Sequence, residues 1–349
     1  MDKDKTGNGK TITIYDIAEE AGVSASTVSR VLNGSASVRK EKKERIQKLI
    51  EKYNFKPNAL AKGLSDTATK NIGIIAADVR NPYYSALFVA CELAAEKAGY
   101  SVVLSNSFGE IEREKAQLDI MLQQKVDAII QMGGRVDDLI TDEDYALKVR
   151  GICEKTPVVV TGKLDKTSVH SVVIDESGAM DTVMEHLIGL GHQKIALVGG
   201  EMRVTSTYNK YLKYQEVLRK HGIKEKGEYV INGTYDPESG YECTNRILEL
   251  EDRPTAIIAI NDFAASGAVR SIREHGLRIP EDISLVSFDN TYIADLTIPK
   301  LTSIDYDYEN YGRVLIDTAI AAARGEEVEA VQIITPKLVI RESSGEVNN

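Results

Sequence analysis

The sequence predicts a small all-α helix-turn-helix head followed by an α/β body of two doubly wound parallel-sheet lobes. Residues 13–32, TIYDIAEEAGVSASTVSRVL, carry apolar side chains at Ile14, Ile17, Ala18, Ala21, Val23, Val28 and Val31. That spacing fits two short amphipathic helices broken at Gly22, not one continuous helix. From Asn71 onward, continuous apolar runs alternate with helical patterns, the texture of parallel sheets covered on both faces by crossover helices. The number of such runs exceeds what one open sheet usually holds, so two sheets in two lobes are expected.

Residues 1–12 read as a flexible lead and 13–56 as the head. Thr13 can cap the first helix, with Asp16 three residues on to complete a capping box. Ala18 is small where a second helix must cross, Gly22 tolerates the positive φ of a tight turn, and Ser24 can cap the second helix. A third helix follows over 38–53, with Ile46, Leu49, Ile50 and Tyr53 at helical spacing. Residues 57–70 read as a linker. Pro57 ends the third helix and Asn58 can cap a very short fourth one over 59–64. A helix of about two turns containing Gly63 is marginal alone.

In the body, strands are expected at 72–79, 101–106, 127–132, 157–162, 171–175, 194–199, 229–233, 256–260 and 284–288. Helices are expected at 84–98, 112–124, 180–190, 213–221, 240–250 and 264–275. Residues 71–170 with 291–323 are assigned to one lobe, and 171–290 with 324–341 to the other. Ligands of such folds lie beyond the carboxyl ends of the strands. That places a cleft at 78–84, 161–163, 200–210, 261–262 and 289–290.

The net charge of −10 conceals an asymmetry. Residues 1–65 hold 13 Lys and Arg against 8 Asp and Glu, and the remainder 30 against 45. A basic head can neutralise phosphates, while an acidic body resists lying along DNA. No apolar run approaches the length of a membrane span, and the start, MDKDKTGNGK, lacks a secretory signal. The expected location is therefore the cytoplasm. Cys91, Cys153 and Cys243 are far apart within apolar patterns, which suits reduced core thiols better than disulfides or zinc. There is no GxGxxG after a strand, no GxxxxGK[ST], no HExxH and no GxSxG, so neither an enzyme nor a cofactor or metal is expected. The GG pairs at 133 and 199 are only weak turn signals.

The segments IYDIAEEAGVSASTVSRVLNG and YNFKPNALAKGL resemble the lactose-repressor (LacI/GalR) family of bacterial transcription regulators, as do HLIGLGHQKIALVGG, TAIIAINDFAASGAV and ISLVSFDN. The resemblance spans residues 11–341. It implies a body of periplasmic-binding-protein type and a homodimer that binds a palindromic operator as a repressor, under allosteric control by a small-molecule effector. Ala25, Ser26 and Arg30 match base-reading positions, and Arg30 can grip guanine O6 and N7. Thr27, Ser29 and Asn33 match phosphate-holding positions. Thr13, Tyr15, Ser24, Asn58, Ala61 and Lys62 complete the implied DNA-binding set. Residues 59–64 match a hinge helix that folds on DNA, with Leu64 as a wedge in the minor groove. At two positions the chain departs from the family: Lys62 stands where an arginine is usual, and Arg39 where a serine caps the third helix.

For the effector, the resemblance implies Asn261 and Asp289 as partners of hydroxyls or a nucleobase edge. Tyr83, Tyr84, Tyr235 and Tyr306 stand at the mouth or on ring-stacking positions. Lys210 replaces the usual arginine and can donate only as a point charge. An aspartate often found after the fourth strand is absent, and TGK (161–163) occupies its place. These departures allow a phosphorylated or carboxylated sugar attracted by Lys163, Arg203 and Lys210. The expected partner set is operator DNA, a sugar or sugar derivative and a second copy, with no membrane. The alternatives are an exported solute receptor of the same body fold, or a regulator driven by a carrier-protein corepressor.

Overall fold

A computed structural model describes residues 12–32, 38–53, 55 and 68–347. The chain divides into two units, Met1–Thr69 and Lys70–Asn349.

In the first unit, helix α1 spans Ile14–Ala21, α2 Ala25–Leu32 and α3 Lys40–Lys52. Thr13 and Asp16 form the capping box that starts α1. Gly22 ends it in the left-handed region at φ 64° and donates its N–H back to Ala18 and Glu19, a conformation in which a Cβ is strained. The Ser24 hydroxyl accepts the Thr27 N–H at 3.3 Å and so starts α2. Ile17, Ala18, Ala21, Val28, Val31 and Ile46 close a small core. Burying each of the larger aliphatic side chains contributes roughly 1.5–3 kcal/mol. Glu20 ties α1 to the far end of α3 by accepting from Lys52 at 2.8 Å and Tyr53 at 2.6 Å. Arg39, at the start of α3, makes no side-chain cap. All of the expected lead over 1–12 except Ile12, and the hinge helix over 59–64, lie outside the described residues.

The second unit holds two six-stranded sheets. Strands β1 Asn71–Ala76, β2 Ser101–Asn106, β3 Ala128–Met132, β4 Val158–Val160, β5 His170–Ile174 and β11 Val331–Ile334 form the first, in the order β11-β5-β4-β3-β1-β2. Strands β6 Ile195–Val198, β7 Val230–Ile231, β8 Ala256–Ala259, β9 Ser284–Asp289, β10 Thr302–Asp305 and β12 Lys337–Val339 form the second, in the order β12-β10-β9-β8-β6-β7. Every pairing is parallel except β10 with β12. Helices α4 Pro82–Lys97, α5 Ile111–Gln123, α6 Glu143–Cys153 and α12 Tyr308–Ala323 cover the first sheet. Helices α7 Glu176–Gly189, α8 Thr205–Lys220, α9 Pro237–Leu248, α10 Asp262–Glu274 and the short α11 Tyr292–Leu296 cover the second.

The chain passes between the lobes three times: from β5 to α7, from β10 to α12 and from β11 to β12. This corrects the expected lobe boundaries. Strand β5 belongs to the first lobe, residues 291–306 with β10 belong to the second, and β11 returns to the first. All nine expected strands are present, and β10, β11 and β12 are additional. The physical reason is that β10, TSID, buries the Thr302 and Ser303 hydroxyls in hydrogen bonds with Ser344, the Arg341 N–H and Asp262 instead of presenting an unbroken apolar run. The other two are edge strands whose side chains are largely exposed or half-buried. Among the described residues no helix is long and apolar enough to cross a membrane.

Candidate functional site

On the head, α2 turns Val28 and Val31 into the core and leaves Ser26 and Arg30 exposed, with Ala25, Thr27 and Ser29 half-buried. At its N-terminus the Ser24 hydroxyl lies 2.8 Å from that of Ser26 and 2.9 Å from that of Thr27. Thr13 and Tyr15 stand exposed on the first turn of α1. The Arg30 guanidinium has no hydrogen bond or ion pair among the described residues. The result is a polar helix face with hydroxyl donors and one free cation, suited to a polyanion. Asn33, Asn58, Ala61, Lys62 and Leu64 lie outside the described residues.

In the body, a cavity of about 960 Å³ opens at the carboxyl ends of the strands of both sheets. All seven expected cleft residues, Tyr83, Tyr84, Lys210, Tyr235, Asn261, Asp289 and Tyr306, line it. Helix starts supply several of them. Asn81 caps α4 and so sets Tyr83 and Tyr84 on its first turn. Asn261 caps α10, its Oδ1 accepting the Ala264 N–H at 2.8 Å, and its amide nitrogen has no partner among the described residues. Tyr83 packs edge-on against Tyr84 and Tyr306, with ring centroids 5.0 and 6.1 Å apart. The Tyr235 hydroxyl is 2.8 Å from that of Thr207. Burial pushes the phenols of Tyr83, Tyr84, Tyr235 and Tyr306 up, so all four stay protonated.

The electrostatics correct the expected attraction of anions. Lys210 is only 3% exposed, is ion-paired with Glu176 and sits 4.8 Å from the Phe288 ring centroid. Arg203 is held by Asp138 at 2.9 Å and by Glu201 at 2.6 Å. Lys163 stands 3.7 Å from Asp165, Arg80 pairs with Asp78, and Arg135 with Asp138. Each basic residue of the cavity wall therefore has a carboxylate partner, with Asp138 serving both Arg135 and Arg203. A lysine or arginine count along the sequence cannot show this, because partners such as Glu176 and Asp138 come from other elements.

Two carboxyls are left over. Asp289, 7% exposed at the end of β9, makes no side-chain hydrogen bond among the described residues and has a backbone φ of 97°. Strain of this kind persists where surrounding structure over-determines it. Burial, the neighbouring Asp262 and Glu176 raise its pKa, against the pull of Lys210. Asp262 itself is fully satisfied by Ser287, Ser303 and Thr291, yet burial still raises it to about 6. Asp137, in the turn after β3, likewise has no hydrogen-bond partner among the described residues, and burial raises it to about 7. Sequence reasoning misses Asp137, Glu176 and Thr205, which also line the cavity. The available signal was the polar turn GGRVDD directly after the buried strand β3. Its carboxyl lies beside Gly162 of the TGK stretch: a Cβ on Gly162 would stand 2.0 Å from the Val136 carbonyl oxygen and 2.8 Å from Asp137 Oδ1. The carboxyl absent after β4 is thus replaced by one approaching from β3.

The two lobes also touch across the cavity wall. Asp138 and Val204 form an antiparallel bridge, and the Leu139 N–H donates to the Arg203 carbonyl at 2.7 Å.

Residues 13–58 match the family described as bacterial regulatory proteins, lacI family, and residues 184–344 match a periplasmic binding protein-like domain. Catabolite control protein A of Priestia megaterium is 32% identical over 336 residues, covering 95% of this chain and 99% of that protein. The chain belongs to the LacI family. The HTH-type transcriptional repressor PurR of Haemophilus influenzae (strain PittEE) is 31% identical, covering 95% of this chain and 98% of the relative. A Lac repressor dimer bound to operator and the anti-inducer ONPF superposes with a TM-score of 0.86 at 30% identity, covering 96% of this chain and 100% of that one. This LacI-family chain is a DNA-binding transcriptional repressor, not an enzyme.

Proposed function

We propose that two copies of this chain bind a near-palindromic operator and control carbohydrate-utilisation genes, with a sugar or sugar derivative in the cleft as effector. The observation that carries the reading is Arg30, exposed on α2 and without a partner among the described residues, in a chain whose body holds a large lined cavity. Arg30 reads a guanine in each half-site, with Ala25 and Ser26 beside it, and Thr13, Tyr15, Ser24, Thr27 and Ser29 fix register on the phosphates. Asn33, Asn58, Ala61, Lys62 and Leu64 belong to the same proposed surface by resemblance alone.

Dimerisation draws support from exposed apolar side chains on the body, Tyr292, Leu296 and Ile298 in one stretch and Val89 and Leu93 on α4. Lone exposed apolar residues are ordinary, but grouped ones mark contact surfaces. A two-fold dimer reads two half-sites related by symmetry. The effector acts by preferring one lobe arrangement, and it shifts operator affinity only as far as it discriminates between the two. Gel shifts with a selected palindrome, in the presence and absence of candidate effectors, test the reading. Retarded DNA with half-site symmetry is expected, and binding to random duplex with equal affinity would overturn it.

A further inference from the structure

Residues 107–110, SFGE, join β2 to α5 by a turn that the Glu110 N–H closes on the Ser107 carbonyl at 3.1 Å. Both central residues have positive φ, 55° at Phe108 and 66° at Gly109, the pattern of a type I′ turn. Its first central position favours Asn, Asp or Gly, and a bulky side chain there is an outlier. The other non-glycine residues at positive φ among the described residues are lysines, aspartates and one asparagine. The turn is pinned in place, because Ser107 is buried and directs both its N–H and its hydroxyl to the Ala76 carbonyl at the end of β1, at 2.9 and 3.3 Å. Arg135 donates to the Gly109 carbonyl at 3.5 Å.

The strained residue does not close a core: Phe108 is 46% exposed and lines the cavity. The guanidiniums of Arg80 and Arg113 lie 5.4 and 5.1 Å from its ring centroid, and each is tied to a carboxylate, Asp78 and Glu110. They steady the ring and leave it part of the wall. Strain of this kind clusters where a protein meets a ligand. Tyr306, Asn261 and Asp289 are buried in the same lining, so the cavity has a deep end and a mouth, and Phe108 stands at the mouth. A ligand that touches both ends is longer than one that fills the deep end, and a volume of about 960 Å³ lies at the top of the usual range for ligand pockets. The wall cations are paired and burial raises the carboxyls of Asp137 and Asp289, which suits a ligand without charge. An aromatic ring beside guanidinium N–H groups offers apolar surface next to donors, matching the C–H patches and hydroxyls of a sugar ring.

We propose that Phe108 is a specificity-determining contact at the cleft mouth, its ring receiving the outer ring of a neutral two-ring glycoside whose inner sugar meets Asn261 and Asp289. This rests on reading the cleft as the effector site.

The test is calorimetry on the full chain with maltose, cellobiose, lactose and melibiose, each beside glucose and galactose. At least one disaccharide should bind about tenfold or more tightly than its constituent monosaccharides, a preference of about 1.4 kcal/mol. Phe108→Asn and Phe108→Gly should each lower that affinity about tenfold and shrink the advantage over the monosaccharides. Both replacements accept positive φ, so relief of strain offsets the lost ring contacts and both variants should melt within about 4 °C of wild type. A larger fall in both means that the ring holds the fold and overturns the proposal. So does undiminished disaccharide affinity in the variants, an equal loss for both ligand sizes, or a panel in which no disaccharide outbinds its monosaccharides. Operator gel shifts run in parallel separate the two readings. A disaccharide whose binding depends on Phe108 but leaves operator affinity unaltered removes the regulatory role and keeps the contact. A monosaccharide that alters operator affinity and binds as tightly as any disaccharide does the reverse.

Discussion

On the head, Arg30 is a cation on an exposed helix face with no partner among the described residues. In the cleft, every cation has a carboxylate and the groups left over are Asp137 and Asp289. Arg30 and these two carboxyls are thus unpartnered groups of opposite type, and they stand in different media. Arg30 stands in water, where an unpaired charge costs the fold almost nothing and remains available to a phosphate or a base edge. Asp289 is enclosed, where an unpaired charge is costly. Surface charge in the head is therefore free to be selected for binding alone, whereas cleft charge is tied to the stability of the body.

Substitutions that invert this relation test it. Lys210→Met removes the cation from an enclosed pair and leaves Glu176 alone, so chemical denaturation should show a loss of about 3–5 kcal/mol. Adding Glu176→Gln should restore most of it, and an unchanged denaturation midpoint in the single variant would contradict a buried pair. Arg30→Ala should have no measurable effect on melting but should weaken operator binding by about 1–3 kcal/mol per half-site. It should also relax preference at one base pair per half-site, which a panel of operator variants in gel shifts would reveal. Unchanged selectivity would remove Arg30 from the reading set.

Asp137 supplies a pH signature of intermediate size. Its folded pKa of about 7 is raised above the ordinary 3.8, so the folded state holds the proton more tightly. The resulting stability is fully present below pH 3.8 and is lost as pH rises through about 7. Asp137→Asn should therefore match wild type near about pH 4 and exceed it by about 1–2 kcal/mol near about pH 8, with water in the open cleft limiting the gain. Melting curves across that range check the sign. The smallest change is expected from Arg203→Ala, at about 0–1 kcal/mol, since this guanidinium is more than half exposed. Faster amide exchange at Leu139, whose N–H donates to the Arg203 carbonyl, would locate the loss at the lobe-to-lobe contact.

The sequence made the head legible almost to the residue, because a capping box, a turn glycine and apolar spacing are all local signals. Strands such as β8, AIIA, were legible for the same reason. Helix starts in the body were not: α7 begins at Glu176 and α8 at Thr205, earlier than the apolar pattern predicts, because their first turns are polar. Those polar turns face the cavity, so the same residues that blur a helix boundary build the site. The cleft tyrosines, Asn261 and Asp289 could be placed through motif resemblance. The pairing of Lys210 with Glu176, and the replacement of a carboxyl after β4 by Asp137 from β3, depend on contacts between elements distant in sequence. Lobe membership failed where strand β10 is held by buried hydroxyls instead of aliphatic side chains.

The three crossings between lobes leave from or arrive at strands that are neighbours within each sheet, β5 beside β11 in the first and β10 beside β12 in the second. Three connections gathered along one side leave essentially one degree of freedom, a swing about the line that runs through them. Displacement then grows with distance from that line, in the manner of a lever. The outer strands β2 and β7 lie at the far edges of their sheets, so a ligand that alters the swing by a small angle moves them the furthest.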